Sequence, residues 1–74
     1  MQIEENATYR HYKGGLYQVL FEATEEATLK TVVVYQNSKG TYWTRPIEDF
    51  LAQVTLPDGR VVQRFERCIN QQGD

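Results

Sequence analysis

The run Thr31-Val32-Val33-Val34-Tyr35 constrains this chain more than any other feature. Side chains branched at Cβ lose rotamer freedom in a helix and pack well on a pleated surface, so the run forms a strand. It shows no polar alternation, which is the signature of a strand covered on both faces. Such a strand needs neighbours, and turn residues supply them. Asn37-Ser38-Lys39-Gly40 closes a short hairpin, with Thr41 to Arg45 as the returning strand. Pro57-Asp58-Gly59 closes a second hairpin between Val54-Thr55-Leu56 and Val61-Val62-Gln63-Arg64-Phe65. Upstream, Gly14-Gly15 reads as a tight turn before Leu16 to Phe21, where period two sets Tyr17, Val19 and Phe21 on one face. Glu22 to Thr28 is acidic and lacks an apolar stripe, so it reads as a loop. After Pro46, Ile47, Phe50 and Leu51 fall at i, i+3 and i+4, with Glu48 and Asp49 in the first turn. This predicts one short helical turn.

Several short strands, two hairpins and a single helical turn predict an all-β domain. The expected form is a small SH3-like, partly open barrel of about five strands, with an OB-like barrel as the alternative. An OB-like barrel normally needs a longer chain and a more substantial helix. The chain has 74 residues, which allows one domain with a small core. No repeat or linker divides it. The folded unit is expected over residues 9–68, with flexible tails over 1–8 and 69–74.

The charge of −2 hides an asymmetry. All eight basic residues fall between Tyr9 and Arg67, where only seven of the ten acidic ones lie, so the inner stretch is near neutral. Neither a polycation for nucleic acid nor a strongly acidic surface is indicated by net charge alone. The longest apolar run, Val32 to Tyr35, is far short of a membrane span, and Glu4 and Glu5 stand where a signal peptide carries positive charge. A lone Cys68 forms no internal disulfide. The expectation is a soluble protein of the reducing cytoplasm with no membrane partner, in which the sequon at Asn6 is accidental.

Catalytic patterns are missing from the sequence. There is no phosphate-binding Gly loop, no Gly-x-Ser-x-Gly elbow, no His-Glu-x-x-His and no Cys-x-x-Cys. His11 and Cys68 would need carboxylates to complete a zinc site, so neither metal nor cofactor is expected. Two catalytic arrangements stay open in principle: a Cys68/His11 nucleophilic pair, and a small hydrolase using His11 with Glu48 or Asp49 as acid and base.

Functional side chains concentrate in two places. Tyr9-Arg10-His11-Tyr12-Lys13 combines rings and cations that can stack on a base, clamp an anion or grip a peptide. The plainer reading has Tyr9 and Tyr12 capping the open end of the barrel, Arg10 and Lys13 solvated, and His11 as a hydrogen-bonded structural residue. In Tyr42-Trp43-Thr44-Arg45-Pro46, strand alternation sends Tyr42 and Trp43 to opposite faces, so one ring faces away from the main core. That ring is either covered by Tyr12 or Lys13 or offered to a partner. Arg45 has two readings, an internal tie to Glu48 or Asp49 and a ligand contact. Arg60, Arg64 and Arg67 read as solvated charges that protect a strand edge.

Tyr9-Arg-His-Tyr-Lys-Gly-Gly-Leu-Tyr17, Val19-Leu20, Val33-Val34-Tyr35, Trp43-x-Arg45-Pro46-x-Glu48-x-Phe50 and Arg64-Phe65 together resemble the bacterial domain of unknown function numbered 1653. The resemblance covers nearly the whole folded region. It implies a small SH3-like barrel, usually a complete short cytoplasmic protein, with no established activity and no catalytic residues to carry over. The motif residues here are Tyr9, Arg10, His11, Tyr12, Lys13, Gly14, Trp43, Arg45, Pro46 and Phe50. The chain departs from the pattern at Phe21, where the family tends to have Gly, and in the shortened stretch from Gln36 to Thr41.

The sequence therefore points to a non-enzymatic binding module. Tyr9, Arg10, His11, Tyr12, Lys13, Trp43 and Arg45 are its expected contact surface, and a peptide, an anionic small molecule or nucleic acid its ligand. A self-associating homodimer is the alternative.

Overall fold

The β-branched run lies in the middle strand of a computed structural model that describes residues 3–68. The elements are β1 (Ala7–His11), β2 (Leu16–Thr24), β3 (Thr31–Asn37), β4 (Tyr42–Pro46), α1 (Ile47–Phe50), β5 (Gln53–Thr55), β6 (Val61–Gln63) and β7 (Phe65–Arg67). Five strands form one antiparallel sheet in the order β4-β3-β2-β1-β7, and β5 and β6 form a separate two-stranded ladder. Val32 and Val33 point to opposite faces of β3 and both are buried, as a strand covered on two sides requires. Among the described residues the edges β4 and β7 do not pair, so the strongly β, barrel-like domain stays partly open. The expected all-β, partly open form with one short helix is thus the observed one, built from seven strands rather than about five.

The extra strands come from two places. Tyr9 to His11, where the sequence reading places no strand, belongs to β1 and pairs with both β2 and β7. The final run breaks at Arg64, so Val61–Gln63 pairs with β5 while Phe65–Arg67 pairs with β1. At this corner the Arg64 backbone ties the two sheets together, its N–H donating to the Ala52 carbonyl and its carbonyl accepting from Tyr12.

The other expectations hold or shift by local physics. Gly14 and Gly15 take φ of 100° and 88°, a region that side chains resist, and the turn closes with Gly14 N–H on the His11 carbonyl. The strand β2 runs on through Thr24, so the loop begins at Glu25 rather than Glu22. It is closed by Leu29 N–H on the Glu25 carbonyl and by the Thr28 hydroxyl on the Glu25 carboxylate. Between Val19 and Phe21 the register slips by one residue. This bulge reverses the side-chain alternation, so Val19 is fully buried while Phe21 is 48% exposed on the other face. Phe21 therefore does not share a face with Tyr17 and Val19.

The core consists of Ile3, Tyr9, Val19, Val33, Tyr35, Phe50 and Phe65, with Ala7, Tyr17, Ile47 and Leu51 against it. At its centre Phe50 and Phe65 stack with centroids 4.2 Å apart, and Tyr9 and Tyr35 meet Phe50 edge-on at 5.3 and 5.5 Å. The expected tail over residues 1–8 is in part core and strand. Ile3 is buried, Glu4 N–H donates to the Tyr9 hydroxyl at 2.9 Å, and the Glu4 carboxylate pairs with Arg67 at 2.8 Å. Ile3, six positions ahead of Tyr9, thus joins the same core cluster. The expected tail over 69–74 lies outside the described residues.

Candidate functional site

Register decides which functional side chains meet. In an antiparallel pair, partners point to the same face, so pairing of Trp43 with Tyr35 and of Arg45 with Val33 puts both on the core-facing side of the edge strand β4. Tyr42 pairs with Gln36 on the outer face and is 68% exposed. Likewise His11 pairs with Phe65, and the two rings meet edge to face at 4.9 Å. These pairings gather His11, Tyr17, Tyr35, Trp43, Arg45 and Phe65 around one cleft of about 200 Å³.

The cleft continues the aromatic core to the surface. Tyr35 contacts both Phe65 at 5.5 Å and Tyr17 at 5.6 Å, and Tyr17 contacts Phe65 at 5.8 Å and His11 at 6.5 Å. Trp43 stands at the mouth, 48% exposed. The Arg45 guanidinium lies 5.7 Å over the Phe65 ring, and its Nε makes a long 3.5 Å contact to the Tyr35 hydroxyl. Among the described residues Arg45 forms no ion pair with Glu48, Asp49 or any other carboxylate, so the internal tie expected for it is replaced by aromatic contacts. Trp43 is not covered by Tyr12 or Lys13. Lys13 sits 5.8 Å over the Tyr12 ring instead.

The electrostatics of the cleft are one-sided. The His11 pKa is lowered by burial first and then by Arg45, Arg64 and Lys13, three cations that disfavour a fourth. Lys13 N–H donates to His11 Nδ1 at 3.1 Å. Arg64, expected as a solvated edge charge, is half-buried, and its Nε is buried without a hydrogen-bond partner. Such an atom forgoes hydration without compensation.

Arg10, Tyr12 and Lys13 take a different position. Alternation along β1 turns Tyr9 and His11 inward and Arg10 outward. Arg10, Tyr12 and Lys13 line a second groove of about 470 Å³ against the β5–β6 hairpin, with Arg60, Leu56 and Glu66, and His11 borders it as well as the cleft. Arg10 stands opposite Glu66 in the ladder. Arg60 pairs with Asp58 at 2.8 Å, and these contacts hold the Asp58 carboxyl below its ordinary value. Tyr9 belongs to the core and reaches neither hollow.

The residues expected to form one contact surface are therefore divided between two adjoining hollows that share His11, with Tyr9 in the core. Sequence reasoning missed the cleft walls Tyr17, Tyr35 and Phe65, and the half-buried Arg64. The signal for the walls was present, since Tyr17 and Tyr35 have the inward parity of Val19 and Val33.

Glu48 and Asp49 do not line the cleft with His11. The Cys68 N–H donates to the Thr8 carbonyl, three residues along β1 from His11, roughly 10 Å at ~3.3 Å per residue. Among the described residues no three His, Cys, Asp or Glu side chains converge as a metal site would need, and no helix is long and apolar enough to cross a membrane.

No curated protein and no solved structure matches the chain significantly. A family model matches residues 7–67, a span from the start of β1 to the end of β7 that holds every residue of both hollows. On that match the chain belongs to the family described as protein of unknown function (DUF1653).

Proposed function

We propose that the domain is a non-enzymatic binding module whose cleft, bordered by His11, Trp43 and Arg45, takes an anionic ligand with a flat ring. The observation that carries this reading is a half-exposed Trp43 beside an Arg45 that has no carboxylate partner among the described residues. Aromatic rings next to arginine are common anchors of binding surfaces. A positive ligand is disfavoured, because Arg45 already occupies the Phe65 face and two further cations act on His11. The free thiol of Cys68 suits a reducing setting such as the cytoplasm.

Amide chemical-shift mapping with an acidic peptide, an aromatic carboxylate and mixed oligonucleotides tests the reading. Shifts at His11, Trp43 and Arg45 are expected with at least one of them. A response confined to another face overturns it. A homodimer through the open edge of β4 is the second reading, favoured by the 68% exposure of Tyr42 on that strand. Sedimentation at rising concentration tests it, and a persistent monomer rejects it.

A further inference from the structure

The geometry points to single-stranded nucleic acid as the ligand, with one base in the cleft and the adjoining phosphodiester backbone in the groove, an assignment that rests on the binding reading above. A cleft of about 200 Å³ is smaller than the ~300–1,000 Å³ pockets that enclose a whole drug-sized molecule, so it admits one flat group at a time. Beside it the pattern repeats. Arg45 accompanies Trp43 on the cleft, Lys13 lies 5.8 Å over Tyr12 in the groove, and His11 bridges the two, its ring 4.8 Å from that of Tyr12.

Two stations of ring plus cation, joined by a third ring, match a polymer in which ring and anion recur in every unit. An acidic peptide would use the cations and leave the rings idle, and a small aromatic acid would fill one station only. A duplex keeps its bases stacked inside and presents no free ring to a cleft of this size, whereas a single strand can splay one out onto an aromatic wall. The charge available is modest. Arg60 is ion-paired with Asp58, and Arg10 has Glu66 opposite it in the ladder without an ion pair between them, which among the described residues leaves Arg45 and Lys13 as the lining cations without a carboxylate opposite. Two phosphate contacts at ~0.7 each give a salt slope of about −1.4 in log affinity against log salt. That is far below the slope of a strongly basic binder and compatible with a near-neutral domain.

The test is fluorescence anisotropy of a labelled, mixed-sequence DNA single strand of about eight nucleotides, between about 50 and 200 mM salt. The same sequence as a duplex and a polyglutamate peptide of equal length are the comparators, and amide shifts report where each one binds. The expected result is binding of the single strand in preference to both, with shifts at Trp43, Arg45 and Lys13. Trp43→Ala weakens it about tenfold and Trp43→Phe far less, as loss of one stacking platform requires. Lys13→Ala lowers the slope by about 0.7. If Trp43→Ala does not fold, Trp43→Phe and Lys13→Ala still decide. Equal binding of duplex and single strand, or a slope unmoved by Lys13→Ala, overturns the assignment. Polyglutamate shifting Trp43 and Arg45 while the strand does not bind also overturns it, yet leaves the binding module standing. Silence from strand and peptide alike, with the aromatic carboxylate also inert, removes both.

Discussion

The two ends of the aromatic cluster are built from the same residue types on the same face of one sheet, and they differ in cover. At the Phe50 end, α1 packs over β3 and β4, and the Phe50 ring is fully buried in a stack with Phe65. At the Trp43 end nothing comparable among the described residues closes over the sheet, and the rings pass into a cleft shared with an arginine. Chemistry alone does not separate core from site here. A single helical turn does, because it ends at Leu51 and leaves the Trp43 side of β4 without a lid.

The largest test of this contrast is a pair of truncations followed by urea denaturation. Phe50→Ala leaves a cavity in a sealed core and should cost about 3–5 kcal/mol, a large share of the stability of so small a domain. Trp43→Ala should cost about 1–2 kcal/mol, since half of that ring is already in water. Equal costs would make the cleft a part of the core and erase the distinction. A smaller effect is expected of Tyr9→Phe, which removes the oxygen that Glu4 N–H meets and should cost about 1 kcal/mol. An unchanged midpoint would mean that the segment before β1 contributes nothing through this bond.

Smaller still is a pH effect specific to the open end. The unfolded chain takes up a proton on His11 near 6.5, while the folded domain resists doing so. Stability should therefore fall as pH drops below about 6.5 and level off below the depressed folded value. Arg45→Met removes one of the opposing cations, so the His11 pKa followed by NMR should rise and the loss of stability should shrink. A pKa that stays put would show that Arg45 does not act on the ring. The smallest change is expected from Phe21→Thr. Because the bulge turns Phe21 outward and half of its ring is already in water, this substitution should move stability by less than about 1 kcal/mol. A cost near that of Phe50→Ala would mean the outer face is packed after all.

Much of the fold was legible because turn residues and strand periodicity act locally. Gly14-Gly15, the Gly40 hairpin, the Pro57-Asp58-Gly59 hairpin and the Ile47–Phe50 turn all lie where those signals put them. What escaped the sequence depends on register. One extra residue in β2 reverses the parity of Phe21, and no local propensity marks the position. The break at Arg64 is equally silent, because Val61 to Phe65 has the composition of one continuous strand. The site was legible in part for the same reason. His11, Trp43 and Arg45 do meet, but alternation along β1 sends Arg10 to the other face and the core claims Tyr9. The walls Tyr17, Tyr35 and Phe65 came from strands that sequence reading treated as core alone.

The backbone bond from Lys13 to His11 fixes more than a ring orientation. A nitrogen that accepts from an amide holds no proton, so neutral His11 is the Nε2–H tautomer. Trp43 offers only an N–H, and Arg45 only its guanidinium N–H groups. The Tyr35 hydroxyl, meeting Arg45 Nε through its oxygen, keeps its own proton to give. On the binding reading, the mouth of the cleft speaks mainly with donors, so the partner it suits best answers with lone pairs, such as carbonyls, ring nitrogens, and phosphate or carboxylate oxygens.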